Sequence, residues 1–199
     1  SAFGFGEKTG IDLPNETAGL IANLEKGGEI AAATASYGQG VSLSPIAMTR
    51  ALSVLAAGGV LPAPHVVEQL VYQDGSKGEL AREAPKSRQV IKKETAAEIT
   101  SMLVKVVDEA LVGGRAKLPH YQVAAKTGTA QIPKAGGGYE EGKFLHSFFG
   151  YFPAYEAKFI VFLYAVNPRG AQYSSETLTD PFIHLTKFLL NYYQVPPDR

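Results

Sequence analysis

Apolar residues in this chain recur at two spacings, one helical and one extended. Helical spacing appears first at Ile46, Met48, Ala51, Leu52, Leu55 and Ala56. Ser44-Pro45 precedes this run and Gly58-Gly59 follows it. A serine cap with proline in the first turn starts helices, and glycine pairs end them, so the spacing predicts a helix here. A longer amphipathic stretch runs from Lys93 to Leu111, with Ala96, Ile99, Leu103, Val106, Val107 and Ala110 along one side. Glu98, Lys105, Asp108 and Glu109 fall mostly elsewhere, as a solvated face would, and Gly113-Gly114 stops the pattern. A third helix is expected from Thr179 as its cap and Asp180-Pro181 as its first turn. Its expected buried face is Phe182, Ile183, Leu185, Phe188, Leu189 and Tyr192.

Extended runs occupy the second half of the chain. Tyr121 to Gln131 reads as a strand, and His146–Phe152 and Lys158–Val166 read as an antiparallel pair joined by Pro153–Ala157. The last of these is apolar throughout, which predicts burial on both faces. Residues 60–92 read as an extended hairpin excursion: His65–Tyr72 is strand-like, Asp74-Gly75 is a turn, and Ser76–Arg88 is polar and patternless. Residues 1–28 read as loop with at most a short helical turn. Residues 29–42 read as a structural loop with a tight turn at Tyr37-Gly38-Gln39-Gly40. Helices and strands do not alternate strictly, so the fold class is α+β, an antiparallel sheet of at least three strands flanked by helices.

Composition narrows the function classes. The chain has 199 residues, a length that suits one domain with a real core. Lys+Arg and Asp+Glu balance at 19 each, so there is no basic footprint for nucleic acid. The chain contains no cysteine, which excludes disulfides, thiolate catalysis and zinc–thiolate sites. Its longest apolar run, Phe159–Val166, is far too short to span a bilayer. No metal and no cofactor is expected.

The candidate chemistry lies in the first extended run. Lys126-Thr127-Gly128-Thr129 places a cation, two hydroxyls and a glycine on one strand. An ammonium attracts an anion, hydroxyls donate to a carboxylate, and glycine lets another backbone lie close. The Thr129 N–H could also face a reacting carbonyl oxygen. A second copy of the triplet, Lys8-Thr9-Gly10, lies between glycines and a proline turn and reads as loop. Ala135-Gly136-Gly137-Gly138 lacks the strand-to-helix setting of a phosphate loop. Met48 reads as core, and His65, beside Pro64, as structural.

Four segments together resemble the penicillin-binding transpeptidase family, nearest its class B, monofunctional branch. They are FGFGEKTGIDLPNE, ASYGQGVSLSPIAMTRALSVLAAGGVL, VAAKTGTAQ and HSFFGYFPA, in that order over nearly the whole chain. That family uses a nucleophilic Ser-x-x-Lys, a Ser-x-Asn and a Lys-Thr/Ser-Gly strand. The third is present. None of the eleven serines has lysine three positions on or asparagine two positions on. The resemblance therefore implies the C-terminal part of one transpeptidase domain, residues 1–199, beginning just after the second motif.

The resemblance also implies roles. Lys126 would hold the hydroxyl network and the electrostatics of proton transfer. Thr127 and Thr129 would bind the carboxylate of the acyl donor or of a β-lactam, with Gly128 allowing close approach. The Thr129 N–H would be half of an oxyanion hole. Tyr37, Gln39 and His146 also match family positions and read as structural. The implied partners are a D-Ala-D-Ala stem peptide, β-lactams and the missing N-terminal part of the domain, at the extracytoplasmic face of a bacterial membrane. The alternatives are a non-catalytic binding or scaffold module of the same fold, and a β-lactamase or β-lactam sensor. In this family the strand at 159–166 pairs with an N-terminal strand, so its edge is expected to be open here or covered by a neighbouring molecule. The isolated chain is then expected to dimerise, swap elements or need its missing half.

Overall fold

The computed structural model describes residues 1–78 and 86–199. Residues 79–85 of the polar Ser76–Arg88 stretch lie outside the described residues. The elements in chain order begin with helices α1 (Ala22–Lys26), α2 (Glu29–Ser36) and α3 (Pro45–Ala56). Four two-residue strands follow: β1 (Val60–Leu61), β2 (Leu70–Val71), β3 (Lys77–Gly78) and β4 (Arg88–Gln89). Then come α4 (Lys93–Lys105), β5 (Ala124–Pro133), β6 (Tyr139–Phe152), β7 (Phe159–Val166), α5 (Ser174–Thr177) and α6 (Thr179–Tyr192). The class is α+β, with an antiparallel β5–β6–β7 sheet at its centre.

The sheet is built on the two-residue alternation of its side chains. Val123, Ala125, Phe148 and Phe152 turn to one face, where they meet Phe182 and Leu190 of α6. Ala124 and Tyr151 turn to the other, against Leu103 and Val104 of α4. Gly150 marks the closest approach of helix to sheet. A Cβ there would run into the Phe182 ring and lie 2.8 Å from Ala125 Cβ. Phe182 stacks on Phe148 with ring centroids 4.4 Å apart. Beneath α4, the Tyr151 hydroxyl is satisfied by Thr100 Oγ1 at 2.7 Å.

Several expectations are corrected. Residues 29–36 are the helix α2, not loop. Alanine favours helix strongly, but every residue of α2 is at least partly exposed, so no apolar stripe marked it. In α3 the buried positions are Ala47, Arg50, Ala51 and Val54, so the helix is turned from the apolar face read in the sequence. Its start is as expected: Ser44 Oγ accepts the Ala47 N–H at 3.2 Å. Ala110 is exposed, and after Lys105 the helix widens into a π segment, Val106–Ala110. Among the described residues His65–Tyr72 pairs as a strand at Leu70–Val71 alone. The strand expected from Tyr121 begins at Ala124.

The last two elements differ most. Leu178, not Thr179, is the N-cap of α6, because the chain enters from α5 without a break for a capping side chain. Phe188 and Tyr192 are 59% and 67% exposed, because only one stripe of α6 reaches the sheet. Strand β7 is not buried on both faces: it is the outer strand, and Tyr164 and Val166 are 52% and 63% exposed.

Candidate active site

The root of β5 is fixed before its chemistry begins. Val123, Ala124 and Ala125 are all completely buried, and Lys126 is the first exposed residue of the strand. Small side chains at 124 and 125 let the strand pass between the two core layers. The exposed residues beyond them are thus carried on a rigid support.

The direction of each backbone group follows from three hydrogen bonds. The Gln122 carbonyl accepts from Ala154 N–H at 2.9 Å, just past β6. The Gly128 carbonyl accepts from Ser147 Oγ of β6 at 3.3 Å. The Phe144 carbonyl, in contrast, accepts from Asn167 N–H at 2.8 Å on the β7 side. In an antiparallel strand the N–H and C=O of one residue point the same way, and successive residues alternate. Lys126 and Gly128 therefore pair with β6 through their backbones, while Thr127 and Thr129 present theirs along the free edge of β5.

The side chains complete the edge. Lys126 Nζ donates to the Thr127 carbonyl at 3.0 Å, which gathers the cation over the strand. Gly128 lies opposite Ser147, and a Cβ at Gly128 would come within 2.6 Å of Ser147 Oγ. Glycine here keeps the surface flat and the neighbouring strand close. Thr129 Oγ1 accepts the Ser174 N–H at 3.0 Å. No bond to the Thr127 hydroxyl occurs among the described residues. The four sequence-predicted residues are thus consecutive on the edge strand β5, Lys126 and Thr129 exposed and Thr127 and Gly128 half-buried.

The other candidates are elsewhere. Lys8-Thr9-Gly10 is a turn: the Glu16 carboxylate accepts Thr9 N–H at 2.6 Å and Gly10 N–H at 3.0 Å, and Thr9 is buried. Burial works to raise the Glu16 pKa, but these donors and Lys8 outweigh it and hold it below the ordinary carboxylate range. His65 and Tyr37 are exposed. His146 is completely buried, with Nδ1 against Thr177 Oγ1 at 2.8 Å and Nε2 against the Gln172 carbonyl at 3.1 Å. Sequence reasoning missed Ser174, which reaches the site through its main-chain amide. The contact is made by the backbone N–H, so no side chain signalled it.

The family model for the penicillin binding protein transpeptidase domain matches residues 1–184. The chain belongs to the penicillin-binding transpeptidase family. Stage V sporulation protein D of Bacillus subtilis is 37% identical to it over 182 residues, 91% of this chain and 28% of that protein. Penicillin-binding protein PbpB of Mycolicibacterium smegmatis is 30% identical over 203 residues, 98% of this chain and 31% of that protein. The apo crystal structure of penicillin-binding protein 3 from Mycobacterium tuberculosis superposes with a TM-score of 0.87 at 30% identity, covering 100% of this chain and 46% of that one. The same protein complexed with ampicillin gives a TM-score of 0.87 at 29% identity, covering 98% of this chain and 45% of that one. The transpeptidase chain thus spans about three-tenths of the length of these two curated relatives.

Proposed function

We propose that this chain supplies one wall of a class B peptidoglycan D,D-transpeptidase cleft, the wall that binds the carboxylate end of the acyl donor. The carrying observation is the free edge of β5, where Thr127 and Thr129 point outward beside the exposed Lys126. An extended D-Ala-D-Ala peptide adds along such an edge as a further strand. Thr127 and Thr129 donate to its carboxylate, Lys126 supplies positive potential, and Gly128 lets the two backbones close. The Thr129 N–H points at the scissile carbonyl oxygen, where one missing donor costs about 100- to 1000-fold in rate.

The reaction needs a serine from outside these 199 residues. Its Oγ adds to the penultimate D-Ala carbonyl, the terminal D-Ala leaves with the proton, and an ester remains. An amine of a second stem peptide then takes the acyl group and frees the serine. A β-lactam follows the first half, with its amide opening in place of D-Ala departure. The substrate places this cleft on the outer face of the bacterial membrane; among the described residues no helix is long and apolar enough to cross one. The 199 residues alone make a binding wall without acylation chemistry.

Fluorescent penicillin tests this reading. The full-length gene product is expected to label covalently and the 199-residue chain is not. Label on the short chain would reveal a nucleophile among its own residues, and a full-length protein that stays dark would remove the transpeptidase reading.

We also infer that the outer edge of β7 takes a strand from another segment. What supports this is its backbone. The Phe152 carbonyl accepts Lys158 N–H at 3.1 Å, so the groups of Ile160, Phe162, Tyr164 and Val166 fall on the side away from β6. For the chain in isolation the available segment is a second copy.

A further inference from the structure

The two threonines of the edge are held differently. Thr127 has no partner for its hydroxyl among the described residues, whereas Thr129 Oγ1 receives the Ser174 amide proton at 3.0 Å. A hydroxyl has one proton and two acceptor positions. With one acceptor position filled by Ser174, the Thr129 proton is left for an outside acceptor, and accepting a bond polarises it as a donor.

The donor is itself immobile. Ser174 is completely buried, and its Oγ donates to the Ser147 carbonyl at 2.5 Å. Glu176 Oε2 closes the start of α5 by accepting the Gln172 and Tyr173 amides at 3.0 and 2.7 Å. The buried His146 ring spans the same turn. A carbonyl only accepts, so Nε2–H donates to Gln172 O, while Nδ1 meets Thr177 Oγ1. Thr177 Oγ1 in turn lies 3.3 Å from the Ser174 carbonyl. His146 is the residue paired with Thr129 across the sheet, and Ser147 is paired with Gly128. The contacts close a ring from Thr129 through Ser174, Thr177 and His146 back to the strand pair.

We propose that α5 is a positioning element for the carboxylate site: the Ser174 amide sets the direction in which the Thr129 hydroxyl donates, and His146, Thr177 and Ser147 hold that amide in place. The inference rests on the carboxylate-binding reading of Thr129 given above. It divides the labour at the edge. Thr129 is set before the ligand arrives, and Thr127 turns to meet it.

Two measurements decide this. The first is amide hydrogen exchange at Ser174 in the 199-residue chain, which needs no activity. Thr129→Val is expected to raise that exchange rate about fivefold or more, the effect of losing one hydrogen bond, while Thr129→Ser retains protection. Equal exchange in all three proteins overturns the contact. The second uses the full-length gene product. Ser174 is the first residue of α5 and Tyr173 before it is extended (φ −114°, ψ 144°), so the backbone accepts proline at 174. Ser174→Ala removes the hydroxyl alone; Ser174→Pro also removes the amide proton.

Acylation by benzylpenicillin is expected to slow about tenfold more in Ser174→Pro than in Ser174→Ala, a bond to a charged group's partner being at stake. The same comparison with benzylpenicillin methyl ester is expected to show no difference. In a Thr129→Val background the proline is expected to add nothing. Equal slowing of acid and ester, or an undiminished proline effect without the Thr129 hydroxyl, overturns the positioning role. If Thr129→Val itself leaves acylation unchanged, the carboxylate reading falls, and the exchange measurement still decides whether Ser174 orients Thr129.

Discussion

β5 and β7 flank the same middle strand, and each turns one row of backbone groups away from it, yet the two edges suit different partners. The β5 edge carries Lys126, Thr127 and Thr129, polar residues on a fully buried root. The β7 edge is FIVFLYAV, with no charge in eight residues. A lysine on an edge strand discourages another chain from adding there, whereas a long apolar edge invites one. The polar edge is also braced: α5 sits over its tip, and the Arg199 guanidinium takes the Tyr121 carbonyl at its base with Nε at 2.9 Å. One sheet thus presents one polar, charged edge and one apolar edge. The difference lies in which side chains flank otherwise equivalent backbone groups.

The largest perturbation removes what the edges share. Phe182 of α6 lies under the middle strand, 4.4 Å from Phe148 and 6.2 Å from Phe152 by ring centroids. Phe182→Ala is expected to cost about 3–5 kcal/mol, removing the ring that lies against Gly150. Urea unfolding of the 199-residue chain measures this. A loss below about 1 kcal/mol would mean that Phe182 is not what holds α6 against the sheet.

Lys126→Ala separates the edges. In the full-length protein it is expected to slow penicillin acylation about 100- to 1000-fold, the scale of one electrostatic contact at a developing charge. Unfolding should stay as in the parent, because Lys126 is exposed and among the described residues bonds to its neighbour's carbonyl alone. Unaltered acylation would remove Lys126 from the site.

Much of this comparison is readable in the sequence, and the rest is hidden for identifiable reasons. The Lys-Thr-Gly-Thr strand and the Ser44-Pro45 helix start are local chemistry, legible without a fold. The openness of the β7 edge followed from the family resemblance, and its apolar run alone gave the opposite answer, burial on both faces. Such a run records what a strand tolerates, not how many neighbours it has. Phe188 and Tyr192 failed in the same way, since α6 is apolar around much of its girth and the sheet selects one stripe. Arg50 hid the true inner face of α3, where it is 3% exposed and bonded through Nε to the Pro62 carbonyl at 2.8 Å. A charge at that position argues for solvent until the fold is known. Ser174 was invisible for a different reason: a main-chain amide reaching a residue 45 positions away has no side-chain signature.

Val166→Lys tests the other edge with a smaller effect. Val166 is 63% exposed at the end of β7, so the substitution should leave the fold intact. A lysine there gives the apolar edge the charge that the β5 edge already has. If the isolated chain self-associates through β7, its dimer dissociation constant is expected to rise about tenfold or more, equivalent to about 1.4 kcal/mol. Sedimentation velocity over a concentration series reads it. A wild-type chain that stays monomeric at all concentrations would refute association through this edge.

The smallest effect concerns the base of the polar edge, where Asp108 of the π segment holds Arg199. Arg199 Nη2 donates to Asp108 Oδ1 at 2.8 Å and Nη1 donates to Oδ2, while Nη2 also reaches the Tyr121 carbonyl at 2.6 Å. Asp198 Oδ1 accepts the Gln122 N–H at 2.7 Å beside it. The bonds from Arg199 hold the Asp108 carboxyl below its ordinary range, with its charge and that of Lys117 adding to them and partial burial opposing. A carboxyl depressed in the folded state stabilises it above the unfolded pKa of about 3.9, and that contribution is lost as pH falls through the folded value. Asp108→Asn is therefore expected to destabilise the chain by about 1 kcal/mol near neutral pH. The deficit should shrink as the solution is acidified toward the folded pKa, so the two unfolding curves converge in acid. A deficit that stays constant with pH would mean that Asp108 acts by packing, and the clamp on Tyr121 would then owe nothing to its charge.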